Sequence, residues 1–135
     1  MIPFVWQARV YWEDTDAGGI VYYANYLRFL ERSRTEWLRA RGVSQLALAS
    51  DPGVVFSVVA LQAQYRRPAR LDDLLAISCE PGLEGGASIV FSQRIWREPL
   101  ESELLLSASV RVACLDAASL KPRRLPQVIV RELST

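Results

Sequence analysis

Between Val10 and Gly42 the chain reads V-Y-W-E-D-T-D-A-G-G-I-V-Y-Y-A-N-Y-L-R-F-L-E-R-S-R-T-E-W-L-R-A-R-G, and this stretch limits the possible folds more than any other. An acidic Asp-Thr-Asp-Ala-Gly-Gly turn separates a strand-like beginning from a long helix-like run. After the turn, Tyr23, Tyr26, Leu27, Leu30, Trp37 and Leu38 recur at helical spacing, the pattern of a buried face. Arg28, Glu31, Arg32, Glu36 and Arg39 lie opposite, with Arg28/Glu31, Arg32/Glu36 and Glu36/Arg39 at pairing distance. Gly42 stands where a left-handed helix stop is expected. The spacing predicts a helix over roughly Tyr23 to Arg41.

The remainder reads mainly as strand. Val5 to Trp12 supplies a first strand, and Val43 to Ser50 a short helical turn that Ser44 can cap. Asp51-Pro52-Gly53 is a turn signal. Val54 to Arg66 is apolar on both faces at its start, which predicts a central strand covered on two sides. Leu74 to Glu80, Ser88 to Trp96 and Glu103 to Leu115 follow as strands, separated by a hairpin loop over Pro81 to Ala87 and a polar turn over Arg97 to Ser102. In the fourth run, Ile89, Phe91, Gln93 and Ile95 alternate with Val90, Ser92, Arg94 and Trp96. A basic loop at Lys121 to Arg124 and a short segment at Val128 to Leu133 end the chain. One long helix and a run of strands predict an α+β domain spanning residues 1–135, with an antiparallel sheet. The helix can cover only one face of a strand that is apolar on both. A second subunit is the natural cover, so a homo-oligomer is expected.

The chain contains no histidine, and this decides more chemistry than any motif present. Ser-His-Asp and Cys-His machinery, histidine-ligated zinc and a histidine-based dehydratase are all excluded. The two cysteines, Cys79 and Cys114, lie far apart in apolar runs, as buried thiols or as one disulfide. A net charge of +1 gives no footprint for nucleic acid. The start, Met-Ile-Pro-Phe-Val-Trp-Gln-Ala-Arg, lacks the basic segment and apolar run of a secretory leader, and a cytoplasmic protein is expected. Any catalysis must then rest on carboxylates, backbone amides, hydroxyls or Lys and Arg, without a metal or cofactor.

The stretch E-D-T-D-A-G-G-I-V-Y-Y-A-N-Y resembles the signature of the hotdog-fold acyl-CoA thioesterases of the 4-hydroxybenzoyl-CoA thioesterase class. The likeness is nearest to the bacterial acyl-CoA thioesterases associated with the Tol–Pal envelope system. R-V-Y-W-E-D-T-D, Y-R-R-P-A-R-L-D-D, S-I-V-F-S-Q-R-I and K-P-R-R-L-P resemble that family in order and spacing, over nearly the whole chain. The resemblance implies a hotdog fold, one long helix wrapped by an antiparallel sheet of about five strands. It implies that Asp16 is the carboxylate used against the thioester, and that the Tyr23 backbone N–H polarises the carbonyl. The relatives usually carry histidine at that position, whereas the 4-hydroxybenzoyl-CoA branch carries tyrosine. The resemblance also implies an acyl-CoA substrate, with acyl carrier protein as the alternative carrier, and a dimeric or tetrameric assembly.

The residues themselves allow that chemistry. A carboxylate can attack a thioester or activate water, and unpaired N–H groups at a helix start can hold the oxyanion. Gly18 and Gly19 let the backbone approach a substrate closely. Aspartates before a helix also commonly form turns by bonding nearby amides, the reading that suits Asp14. Lys121, Arg123 and Arg124 are the densest basic cluster for coenzyme A phosphates, with Arg66, Arg67 and Arg70 second. The competing reading is a hotdog module that holds an acyl group or acyl carrier protein without hydrolysing it.

Overall fold

The long helix forms where its spacing places it. In the computed structural model, which describes residues 4–99 and 102–133, a 3-10 turn over Tyr23–Asn25 runs directly into helix α1, Tyr26–Ala40. Gly42, at φ +75°, ends it in the left-handed conformation. The Gly42 N–H donates to Arg39 C=O at 3.0 Å and the Val43 N–H to Leu38 C=O at 2.9 Å, so the last carbonyls are satisfied by a Schellman stop. The buried face is Tyr26, Phe29, Leu30, Ser33, Trp37 and Leu38. This corrects the expected stripe at two positions. Tyr23 precedes the α-helical phase and is exposed, and Leu27, one residue round from Tyr26, is also at the surface. Of the three expected surface pairs, Glu36–Arg39 closes at 2.7 Å.

Five strands make one antiparallel sheet: β1 Phe4–Arg9, β2 Val54–Tyr65, β3 Leu74–Glu84, β4 Ser88–Arg97 and β5 Glu103–Asp116, in the order β1-β3-β4-β5-β2. A second short helix, α2 Gln45–Ser50, is capped by Ser44, whose Oγ accepts from the Ala47 N–H at 3.1 Å. The third helix, α3 Gln127–Leu133, buries Ile129. Leu100 and Glu101, within the expected Arg97–Ser102 turn, and Met1–Pro3 lie outside the described residues.

The core lies between α1 and the sheet, and the alternation read in β4 is the one that folds. Ile89, Phe91, Gln93 and Ile95 all face inward. The buried Gln93 amide is fully engaged: Nε2 donates to Leu30 C=O at 3.0 Å and to Ser78 C=O at 3.3 Å, while Oε1 accepts from Arg34 Nη1 at 3.0 Å. One side chain thereby ties the middle of α1 to two strands, and its polar atoms carry no unpaired cost.

Three strand expectations are corrected. Trp12 leaves β1 for a 3-10 turn, Trp12–Asp14. The third strand runs on through Pro81 to Glu84, leaving only 85–87 as the turn. Pro81 is tolerated there because the described pairing with β1 ends at Phe4–Cys79, so its missing N–H interrupts no β1 ladder.

The largest correction concerns β2, which is an edge strand and not a central one. Part of its apparent two-faced apolarity is a change of phase. The register against β5 shifts between Val58 and Ala60, so Val59 is an extra, bulged residue. Phe56 and Val58 face the core before the bulge, and Leu61, Ala63 and Tyr65 face it after, opposite Val110, Ala108 and Leu106. The long helix lies mainly over β1 and β3 and only the short α2 packs on β2, so the later part of β2 is thinly covered. Val58 remains 47% exposed, Leu61 41% and Tyr65 48%.

Candidate active site

Asp14 and Asp16 sit two residues apart and do different things. Asp14 is buried, and both its carboxylate oxygens are occupied: Oδ2 accepts from the Tyr11 N–H at 2.8 Å and Oδ1 from Asn25 Nδ2 at 2.9 Å. Its own C=O accepts from the Tyr22 N–H at 3.1 Å. Asp14 therefore fastens the acidic turn to the residues on either side of Tyr23. Replacing Asp14 with alanine leaves the Tyr11 N–H and Asn25 Nδ2 without their acceptor. Bonds to a charged group contribute roughly 1.5–3 kcal/mol each, so a loss of about 3 kcal/mol and a clearly lowered Tm are expected. A melt at the wild-type temperature would count against this role.

Asp16 is exposed at the tip of a narrow turn. Thr15 and Val21 bridge at its base, the Asp16 N–H donates to Ile20 C=O at 2.9 Å, and the Gly19 N–H donates to Asp16 C=O at 3.0 Å. The Gly18 N–H donates to Asp16 Oδ1 at 2.8 Å, which sets the carboxylate's direction. Oδ2 has no partner among the described residues. The two glycines serve this geometry in different ways. A Cβ on Gly18 would stand 3.2 Å from Asp16 Oδ1, and Gly19 has φ +79°, where L-residues are strained.

Tyr23 opens the 3-10 turn, so its N–H lies ahead of the first bond of that turn, Asn25 N–H to Tyr22 C=O at 2.8 Å. No acceptor takes up this amide among the described residues. Tyr23 is 65% exposed, and its ring tilts against Tyr22 with centroids 4.9 Å apart, so the side chain is surface.

The Y-R-R-P-A-R-L-D-D segment supports this turn from behind. Val21 N–H donates to Ala69 C=O at 2.9 Å, Ile20 bridges Arg70, and the Ala69 N–H donates to the Tyr26 hydroxyl at 3.0 Å. Arg97 holds the segment in place, reaching Asp73 Oδ2 at 3.0 Å, Glu103 Oε2 at 2.6 Å and Pro68 C=O at 2.7 Å. Tyr65, at the end of β2, donates its hydroxyl to Tyr23 C=O at 2.7 Å. Sequence reading singled out neither Asn25 nor Tyr65 for the site. Their partners lie 11 and 42 positions away, and no local spacing announces such a contact.

The basic loop is elsewhere in the chain's fold. Lys121 and Arg124 are exposed, whereas Arg123 Nη1 is already engaged with Pro52 C=O at 2.8 Å, Gly53 C=O at 3.0 Å and Asp116 Oδ1 at 3.2 Å. These contacts place the loop at the Val54 end of β2, while Tyr65, beside Tyr23, is the other end. At about 3.3 Å per residue the two ends are roughly 35 Å apart. A single chain does not bring Lys121, Arg123 and Arg124 to Asp16. Between them, a cavity of about 130 Å³ opens beside α1, lined by Arg34, Thr35, Leu38, Phe56, Val58 and Phe91.

Cys79 and Cys114 are buried free thiols. Burial pushes Cys79 up to about 12, and Cys114 upward as well, so neither supplies a thiolate near neutral pH. No helix among the described residues is long and apolar enough to cross a membrane.

Comparison with known proteins identifies the family and the fold. The thioesterase superfamily profile matches residues 18–103. The acyl-CoA thioester hydrolase YbgC of Escherichia coli O6:H1 is 50% identical over 129 residues, covering 96% of this chain and 94% of that protein. A probable thioesterase from Bartonella henselae is 38% identical with a TM-score of 0.85, covering 93% of this chain and 100% of its own. The 1,4-dihydroxy-2-naphthoyl-CoA thioesterase Slr0204 from Synechocystis has a TM-score of 0.90 over 97% of this chain and 95% of its own, and at 21% identity it bears on the fold alone. One long helix against a five-stranded antiparallel sheet is the hotdog fold, and the chain belongs to the thioesterase superfamily of hydrolytic enzymes.

Proposed function

We propose that this protein hydrolyses acyl-CoA thioesters at the Asp16 turn. The observation that carries the reading is the Asp16 carboxylate, oriented through Oδ1 by the Gly18 amide and open at Oδ2. It stands on the same turn that Asp14 fastens to the free Tyr23 amide. Two routes fit. Asp16 can attack the thioester carbon, expel the coenzyme A thiolate and form an anhydride that water then opens. Alternatively it takes a proton from water as that water attacks, and the proton passes to the departing thiolate. In both, charge builds on the carbonyl oxygen. The Tyr23 N–H, at the positive end of the 3-10 turn and α1, is the group to stabilise it, and one such donor is worth roughly 3 kcal/mol in acyl transfer.

The edge strand supports a homo-oligomer and a site shared between copies. Strand β2 is 12 residues long, its outer backbone is unpaired in the single chain, and it exposes Val58, Val59 and Leu61. Such an edge is a template for pairing, and oligomers are predominantly twofold. An antiparallel β2–β2 pair lays the Val54 end of one copy beside the Tyr65 end of the other. Lys121 and Arg124 of one chain then approach Asp16 and Tyr23 of its partner. They meet the coenzyme A phosphates there, while the acyl group enters the cavity beside α1. Arg123, held by three partners, shapes the loop more than it reaches outward. The two buried thiols accord with a cytoplasmic setting.

A hydrolysis screen over aromatic, short and long acyl-CoAs and acyl carrier protein thioesters, read as released thiol, tests the proposal. Turnover of an acyl-CoA is expected. Tight binding of every thioester class with no thiol release would instead establish the non-catalytic holding role.

A further inference from the structure

We propose that Tyr65 is a positioning residue for the oxyanion donor, a role that rests on the reading of the Tyr23 amide given above. The Tyr23 N–H lies in the peptide plane it shares with Tyr22 C=O, and holding the next plane as well limits how far that first plane can turn. The plane before Tyr23 is pinned through Tyr22 C=O, which accepts from the Asn25 N–H at 2.8 Å. The plane after it is pinned by the Tyr65 hydroxyl, which donates to Tyr23 C=O at 2.7 Å. Tyr65 is itself held, because its ring meets the Tyr26 ring edge-on at 5.4 Å, and Tyr26 is anchored through its hydroxyl to the Ala69 N–H at 3.0 Å. A donor aimed in advance at the developing oxyanion needs no reorganisation when charge appears, which is what makes such donors effective. The same bond draws electron density toward Tyr23 C=O and strengthens the Ala24 N–H on that plane as a second donor. Tyr65 also stands at the end of the unpaired edge strand, so the contact ties the donor's aim to the placement of β2.

Tyr65→Phe removes the hydroxyl and keeps the ring on Tyr26. On an acyl-CoA that the wild type turns over, kcat should fall about tenfold or more while KM stays within about twofold, since donor aim matters most in the transition state. Burial raises the Tyr65 hydroxyl above the ordinary tyrosine range, so it remains a donor through neutral pH. Placing 3-fluorotyrosine at position 65, a more acidic phenol of nearly the same shape, should bring the alkaline fall in kcat to lower pH. The Phe variant should lack that limb. A role in packing alone would move neither. The proposal is overturned by an unchanged kcat in Tyr65→Phe, by a rise in KM alone, or by an alkaline limb indifferent to the fluorine. It is equally overturned if the loss disappears once variant and wild type are assayed at matched sedimentation coefficient. Asp16→Asn separates this claim from its foundation. An inactive Asp16→Asn beside a normal Tyr65→Phe removes the positioning role only, whereas a fully active, folded Asp16→Asn removes the site reading and Tyr65 with it.

Discussion

Asp16→Asn should yield a folded protein whose kcat/KM on acyl-CoA has dropped by about 10²–10⁴-fold, the contribution of a positioned general base or more. The fold should survive because Asp16 is exposed and the bond to its side chain, from the Gly18 N–H to Oδ1, can be kept by an asparagine carbonyl oxygen. What disappears is the charge and basicity of the open oxygen. No substitute stands by: the chain has no histidine, and both thiols are buried and pushed upward by burial. Asp14 cannot take over either, since both of its oxygens are occupied. Thermal melts beside the kinetics make the result decisive. A variant with the wild-type Tm and near-normal turnover would sink the mechanism.

Breaking the β2 edge should be almost as costly. Val59→Asp with Ala60→Asp puts two charges at the middle of the free edge, at positions that are both exposed in the single chain. The monomer fold should tolerate them, while association should not, leaving a species near 15.2 kDa in sedimentation. Activity should fall by about 10²-fold, because the basic loop and the Asp16 turn of one chain lie at opposite ends of β2 and cannot meet one substrate. Complementation tells a shared site from a merely weakened one. A chain carrying Asp16→Asn and a chain carrying Lys121→Ala with Arg124→Ala are each defective at low substrate concentration. Co-refolded in equal amounts, half of the pairs are mixed, and each mixed pair has one complete site, so about a quarter of wild-type activity should return. Mixtures no better than the mean of the two parents would show that each chain works alone.

The helix, its Gly42 stop, the Ser44 cap, the inward face of β4 and the Asp16–Gly19 turn before the helix were all legible in the sequence. Each depends on spacings of a few residues: periods of 3.6 or 2, a capping side chain, or a left-handed glycine. The same local reading failed where phase or partner is set at long range. Val54 to Leu61 read as apolar on both faces because a one-residue bulge at Val59 inverts the alternation mid-strand, and only the register against β5 reveals it. Its place at the edge follows from the order of strands, which no period within one strand encodes. Arg123 read as a free cation, yet the Pro52–Gly53 turn and Asp116 claim its guanidinium. Nothing in the local sequence singles out Asn25 or Tyr65. It is the tertiary fold that sets Asn25 against Asp14 and the Tyr65 hydroxyl on the Tyr23 carbonyl. The sequence alone thus determined which chemical groups this protein has and the turn that presents them. Their orientation, and the separation of the basic loop from that turn, were decided by contacts across tens of residues, where chain connectivity imposes no spacing that could be read in advance.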